Sequence, residues 1–235
     1  MSRLSAWSFS RLIIGEQCPY RARLAFADRI PEPQRDLPPG KTEQANERGN
    51  RVHNGAELYV QGTGLFLPEM ENYAPEFQVL SALYKDGKVS LEGEWGFNKD
   101  WEPVEWRSRD AWARIKLDAL VFLNPTEAVV IDYKTGKKYG NEIKHAEQCQ
   151  LYQLAAFLRY PDLETIHTEL WYLDTNDISQ TTYTRERGMM TFPVWDRRGH
   201  AFTDRTEFPA KPNMFNCKWC PYGPKGTGHC KVGIQ

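Results

Sequence analysis

Residues 116–136 read KLDALVFLNPTEAVVIDYKTG, and this stretch decides the fold. Leu117 to Leu123 is apolar apart from Asp118, and Ala128 to Ile131 is apolar up to Asp132. Between them stands Asn124-Pro125-Thr126-Glu127, a turn-forming cluster. The pattern predicts a β-hairpin. With the turn centred near Pro125, Asp118 falls roughly opposite Asp132, and opposed strand residues hold their Cβ atoms about 5 Å apart. Lys134 is two residues past Asp132 and shares its face, because side chains alternate along a strand. Two acids and a lysine on one face of otherwise apolar strands are costly to bury. A divalent metal between the carboxylates offsets that cost. The bland alternative is an exposed edge hairpin carrying a salt bridge. Strands apolar on both faces fit a covered, central position instead.

On the C-terminal side, Lys137, Lys138, Tyr139 and Gly140 lead into a helix over about 141–160, with Ile143, Leu151, Leu154, Ala155 and Leu158 on its apolar face. Gln148 and Tyr152 are four apart and share a face. They are either two ordinary polar residues or groups that reach a phosphate or metal beside the hairpin. Residues 165–173 and 179–187 read as further strands. On the N-terminal side, residues 43–61 read as a helix carrying His53, with Gly49 one turn before it and Glu57 one turn after. A lone helical histidine is either structural or a ligand, and the acid pair elsewhere raises the second reading.

Residues 75–115 read as strand-rich, and VSLEGEWGF alternates so that Glu92 and Glu94 share a face. Trp95, Trp101, Trp106 and Trp112 are interleaved with Arg107, Arg109 and Arg114. Such tryptophans can stack bases, but we read them as filling core. Residues 5–30 predict two helices broken at Cys18-Pro19, and 31–42, PEPQRDLPPGKT, a Pro-rich loop. The GKT at 40–42 does not close a phosphate-binding loop, because Arg35 stands where that motif needs glycine. The order of elements predicts a single α/β domain with a mixed central sheet flanked by helices.

The chain has five cysteines among 235 residues. An odd number without a secretion signal argues against a disulfide framework, and in a reducing cytosol clustered cysteines are metal ligands. Cys217 and Cys220 form a C-x2-C followed by Cys230. This set is either a zinc knuckle completed by His229 or another residue, or, with Cys18, an all-cysteine site for an iron–sulfur cluster or zinc that joins the two termini. Cys149 is the odd one out and reads as a small buried residue. The net charge of −1 counts mildly against nucleic-acid binding, although local patches decide it. No apolar run approaches the roughly 20 residues of a membrane span, so the expectation is a cytoplasmic protein with no membrane partner.

Asp118, Asp132-Tyr-Lys134-Thr-Gly and Gln148-x3-Tyr152 together resemble the core of the PD-(D/E)XK nuclease superfamily in its RecB-like branch. Gly49-x3-His53 is similar to the histidine motif of that branch. Asp132 stands where many members carry glutamate. Glu94, in Glu-x-x-Phe97, is similar to its extra acidic position, with Glu92 the alternative. Cys18 with Cys217, Cys220 and Cys230 resembles the iron–sulfur staple of AddB-type nucleases and of RecB-like CRISPR-adaptation and phage exonucleases. The resemblance spans residues 8–230. It implies one nuclease domain over 1–235, with its core at about 43–190 and cluster-binding segments at about 8–30 and 210–232.

The resemblance further implies a metal-dependent DNA exonuclease that hydrolyses phosphodiester bonds from single-stranded ends, in recombination, replication, repair or CRISPR adaptation. His53, Asp118 and Asp132 then hold Mg2+ or Mn2+. Asp118, Asp132, Lys134 and Glu94 are catalytic, and Lys134 positions or deprotonates the attacking water. Gln148, Tyr152, Lys137 and Lys138 contact DNA, as does Lys144. The four cysteines hold a [4Fe-4S] cluster, with zinc the alternative occupant. The implied partners are DNA with free ends and a protein of recombination or CRISPR adaptation. The rival reading is a non-catalytic DNA-binding or scaffolding module that keeps the nuclease fold, and the intact set Asp118, Asp132 and Lys134 argues against it. A third is a zinc-stabilised protein whose hairpin acids are accidental.

Overall fold

The computed structural model describes residues 3–136 and 138–234. Lys137, an expected DNA contact, lies outside them, as does the side chain of Glu92. The chain opens with α1 (Phe9–Gln17) and α2 (Pro19–Ala22), the latter running on as a π-helical turn at Arg23–Ala27. Cys18 is extended between the two helices and Pro19 begins the second, so the break falls where the Cys-Pro pair predicts it. Then follow α3 (Ala45–Val60), a 3-10 turn at Pro68–Tyr73, α4 (Ala74–Lys85), β1 (Val89–Phe97), β2 (Pro103–Val104), β3 (Ala113–Asn124) and β4 (Glu127–Lys134). The remainder is α5 (Glu142–Arg159), β5 (Thr165–Tyr172), β6 (Asp177–Thr184), α6 (Arg185–Met189), α7 (Phe192–Thr203) and α8 (Met214–Cys217).

Residues 75–115 are less strand-rich than the sequence suggests. Their first part is α4, which buries Phe77 and Leu80 three residues apart, a helical rather than a strand period. The hairpin forms as expected. Its turn is Pro125-Thr126, and the Asn124 side-chain oxygen accepts from the Thr126 N–H at 2.9 Å, the local bond that suits asparagine to turns.

The sheet order is β2-β1-β3-β4-β5-β6. Among the described strand pairs only β4–β5 is parallel, and α5 makes the crossover that a parallel pair requires. The hairpin is therefore central. Ala128 and Val130 join a core with Leu151, Leu154 and Ala155 of α5. Ile131 and Tyr133 join a second core with Val52 and Ala56 of α3 and Phe77 of α4. Burial on both faces explains the unbroken apolar run of β4.

Trp95, Trp101 and Trp112 are buried as core. Trp101 and Trp112 gather about Trp7, whose ring centroid lies 5.9 Å from Trp101 and 5.6 Å from Trp112. Trp106 is the exception, only partly covered. The two ends of the chain meet through side-chain bonds to backbone. Asn216 Nδ2 donates to the Gln17 carbonyl at 2.8 Å, Lys211 Nζ to that of Glu16 at 3.0 Å, and the Tyr222 hydroxyl to that of Ile30 at 3.1 Å. No described helix is long and apolar enough to cross a membrane.

Candidate active site

The β3–β4 ladder ends at the pair Ala119–Ile131. One residue further on each strand come Asp118 and Asp132, where β3 turns toward β1 and β4 toward β5. The two acids thus stand at the fork of the sheet. Both are buried, at 8% and 4% exposure, against the ordinary preference of carboxylates for water.

Each acid has its own counter-groups. Asp118 Oδ1 lies 2.6 Å from His53 Nδ1, delivered by α3, and Asp118 Oδ2 accepts the backbone N–H of Tyr133 at 2.6 Å. Asp132 Oδ2 is 2.5 Å from Lys134 Nζ. Lys134 Nζ donates to Gln148 Oε1 at 2.7 Å, Gln148 Nε2 to the Tyr152 hydroxyl at 2.6 Å, and that hydroxyl to Asp132 Oδ1 at 3.0 Å. Asp132, Lys134, Gln148 and Tyr152 therefore close a ring. The i, i+4 spacing on α5 supplies one side of it, and the i, i+2 spacing on β4 supplies the other.

Burial raises the Asp118 carboxyl above the usual carboxylate range, opposed by its bond to His53. Burial alone lowers His53, but the bond to Asp118 and the charges of Asp118 and Asp132 outweigh it, so the imidazole is raised. Burial and the neighbouring acids push the hydroxyls of Tyr133 and Tyr152 well above their ordinary value. Tyr152 is thus a neutral donor to Asp132.

Asp132 Oδ2 is buried against the Lys134 ammonium at 2.5 Å, so this oxygen already faces positive charge and is chemically suited to a cation. Two carboxylates and one imidazole form a mainly hard-oxygen donor set that fits Mg2+ or Mn2+. As the side chains stand, no group of three or more His, Cys, Asp or Glu among the described residues is arranged to hold a metal ion.

Glu94 is exposed, and its backbone pairs with Lys116 rather than Asp118. Leu91 pairs with Ala119 and Gly93 with Leu117, so the backbone of Glu92 stands opposite Asp118. Lys138 donates to Asp177 at 2.6 Å and lies over the Tyr172 ring. Sequence reasoning passed over Lys116 and His145 and weighed Arg114 only beside the tryptophans; all three line a cavity together with Lys134 and Gln148. The signal for Lys116 was available, since it stands two residues before Asp118, as Lys134 stands two after Asp132.

The four cysteines expected to cooperate all line one cavity, between the first two helices and the C-terminal segment. All five cysteines are free thiols. Burial pushes the Cys220 thiol up, against a backbone bond from Tyr222 and the Arg21 charge, and Cys18 and Cys230 add to the rise. Cys149 is buried, its thiol raised to about 11 chiefly by burial, as a packing residue should be.

The sequence profile of the PD-(D/E)XK nuclease superfamily matches residues 6–224. The chain belongs to that superfamily. No curated protein matches it. Among solved structures, the crystal structure of SSO0001 aligns over 100% of this chain and 90% of its own, at 14% identity and a TM-score of 0.48. An alkaline exonuclease, LHK-Exo from Laribacter hongkongensis, aligns over 85% of this chain and 87% of its own, at 14% identity and a TM-score of 0.34. Its complex with dAMP aligns over the same shares at 13% identity and a TM-score of 0.34.

Proposed function

We propose that the chain is a Mg2+- or Mn2+-dependent deoxyribonuclease that degrades DNA from free single-stranded ends. The observation that carries this reading is the meeting of His53, Asp118, Asp132 and Lys134 at the fork of the sheet. Asp118, Asp132 and His53 would hold the cation. When bound, it supplies Lewis acidity at the phosphoryl oxygen and a more acidic water. Lys134, tied between Asp132 and Gln148, positions the attacking water and faces the charge that develops at phosphorus. Gln148 and Tyr152 fix Lys134 and Asp132 relative to one another, which sets the orientation on which rate depends.

The second element is a [4Fe-4S] cluster on Cys18, Cys217, Cys220 and Cys230, supported by the convergence of these four thiols on one cavity. A four-cysteine donor set fits such a cluster, and zinc is the alternative occupant. Its role is to hold the two ends of the chain together. A protein partner in recombination or CRISPR adaptation rests on the resemblance alone.

The test is cleavage of end-labelled single- and double-stranded DNA with Mg2+, Mn2+ or EDTA, beside Lys134→Ala and Asp132→Ala, on protein purified without oxygen. Metal-dependent release of short products, abolished in both variants, supports the proposal, and the label gives polarity. No cleavage by protein with full iron content and cluster absorbance transfers the function to a non-catalytic DNA-binding module.

A further inference from the structure

A cavity of about 370 Å³ opens beside Lys134, within the range that small ligands occupy. Its wall gathers four cationic side chains, Arg114, Lys116, Lys134 and Lys144, and no carboxylate. The chain as a whole carries a net charge of −1, so this concentration is local and not a consequence of composition. Glu94, opposite Lys116 in the ladder, is exposed and does not line the cavity. Ser8 and Ser10, whose hydroxyls lie 3.3 Å apart, add neutral donors at the rim. Gln148 and Tyr152 of the carboxylate ring form the inner wall, so the cavity is continuous with the candidate active site.

The remaining lining group of note is Trp106. Of the four tryptophans between residues 95 and 112 it alone is not buried in the core. Arg114 steadies it. The Arg114 Nε donates to the Trp106 carbonyl at 3.0 Å, and the guanidinium carbon stands 6.0 Å from the ring centroid. An indole held at the wall of a cationic cavity is the pairing that single-stranded nucleic acid requires, aromatic for base and positive for backbone. A small anionic metabolite needs only the charge.

Resting on the nuclease reading above, we propose that this cavity seats the nucleotide next to the scissile phosphate, with Trp106 stacked on its base and Arg114, Lys116 and Lys144 facing its phosphates. The site is a positioning subsite for one strand. Stacking and phosphate contacts carry no preference for a particular base.

The test measures binding rather than cleavage. Lys134→Ala protein is titrated in Mg2+ against a fluorescent oligothymidylate of about twelve nucleotides, a length within the usual single-strand site size. In that background Trp106→Ala is expected to raise Kd about fivefold or more, the weight of one lost stacked base. Trp106→Phe, which keeps an aromatic face, should bind within about threefold of the parent, because every base has a face to stack on. Lys116→Ala is expected to reduce the slope of log K against log salt by about 0.7, one single-strand phosphate contact. Binding by Trp106→Phe as weak as by Trp106→Ala assigns the loss to packing and overturns the stacking. Both alanine variants within twofold of the parent, at an unchanged salt slope, overturn the subsite while leaving the nuclease reading standing. A parent protein that does not bind the oligonucleotide overturns both.

Discussion

Asp118 Oδ2 accepts the backbone N–H of Tyr133 at 2.6 Å, at the point where β3 and β4 stop pairing. The side chain thus takes the place of the strand carbonyl that the diverging ladder withdraws. One carboxylate serves two purposes, satisfying a buried donor and offering its other oxygen to His53. The fork both exposes an N–H that needs an acceptor and fixes the acid that meets the need.

Asp118→Asn separates these roles. The amide oxygen can still accept from Tyr133, and the cost of burying a charge disappears. Melting temperature should hold or rise while cleavage is lost. Asp118→Ala leaves the N–H without an acceptor and should cost about 1–3 kcal/mol, a fall of about 2–4 °C per kcal/mol in a chain of this size. Thermal melts beside the cleavage assay check both, and an active Asp118→Asn would remove the carboxylate from the mechanism.

Gln148 holds Lys134 with one end of its amide and Tyr152 with the other. Gln148→Leu keeps the volume and cuts both bonds. Lys134 then has Asp132 alone to orient it, and a displacement of the order of 1 Å costs about 10²-fold in rate. We expect kcat to fall by that amount with KM little changed, because the loss falls on the transition state. A rise in KM at constant kcat would instead make Gln148 a substrate contact.

The hairpin was legible because its signals are local: turn chemistry at Asn124, apolar strands, and acids at matching distances from the turn. The pairing of Gln148 with Tyr152 was legible from helical spacing alone. The choice between Glu92 and Glu94 was not, because alternation puts both on one face. The cavity beside Lys134 was illegible for another reason. Its wall comes from residues 8–10, 106–116, 134 and 144–152, and no local pattern joins four such segments. The α4 helix was not legible because its two buried residues, Phe77 and Leu80, give only a short helical signal.

His145 sets a pH dependence. Burial, then the charge of Lys134, lowers its pKa from 6.5 to about 4, and its Nδ1 lies 2.8 Å from the Tyr172 hydroxyl. The imidazole is therefore neutral in the folded protein at pH 6, where the unfolded chain is largely protonated. The unfolded state binds more protons in this window, so stability falls on acidification. The contribution is complete above pH 6.5 and is lost as pH falls toward 4. His53 is raised and acts in the opposite sense, its contribution fading as pH rises. His145→Gln, which cannot titrate, should gain on the wild type in melting temperature between pH 6.5 and 4. Parallel curves for the two proteins would show that His145 carries no such linkage.

Cys18 is the one cysteine of the proposed cluster that comes from the N-terminal helices, between α1 and α2. Cys217, Cys220 and Cys230 line the same cavity, about two hundred residues away in sequence. A bound cluster adds its own binding free energy to folding, because no preformed site exists in the unfolded chain. It also closes a loop whose entropy grows only slowly with length. Cys18→Ala should therefore lose iron and cluster absorbance. A penalty of about 3 kcal/mol lowers the melting temperature by about 6–12 °C in a chain of this size. Cys149→Ala, which removes a packing thiol instead of a ligand, should keep the iron. The bonds from Asn216, Lys211 and Tyr222 still join the two ends, so the Cys18 variant should fold and remain measurable. Unchanged iron content in it would exclude Cys18 from the cluster and leave the three C-terminal cysteines to find a fourth ligand among their neighbours, His229 first.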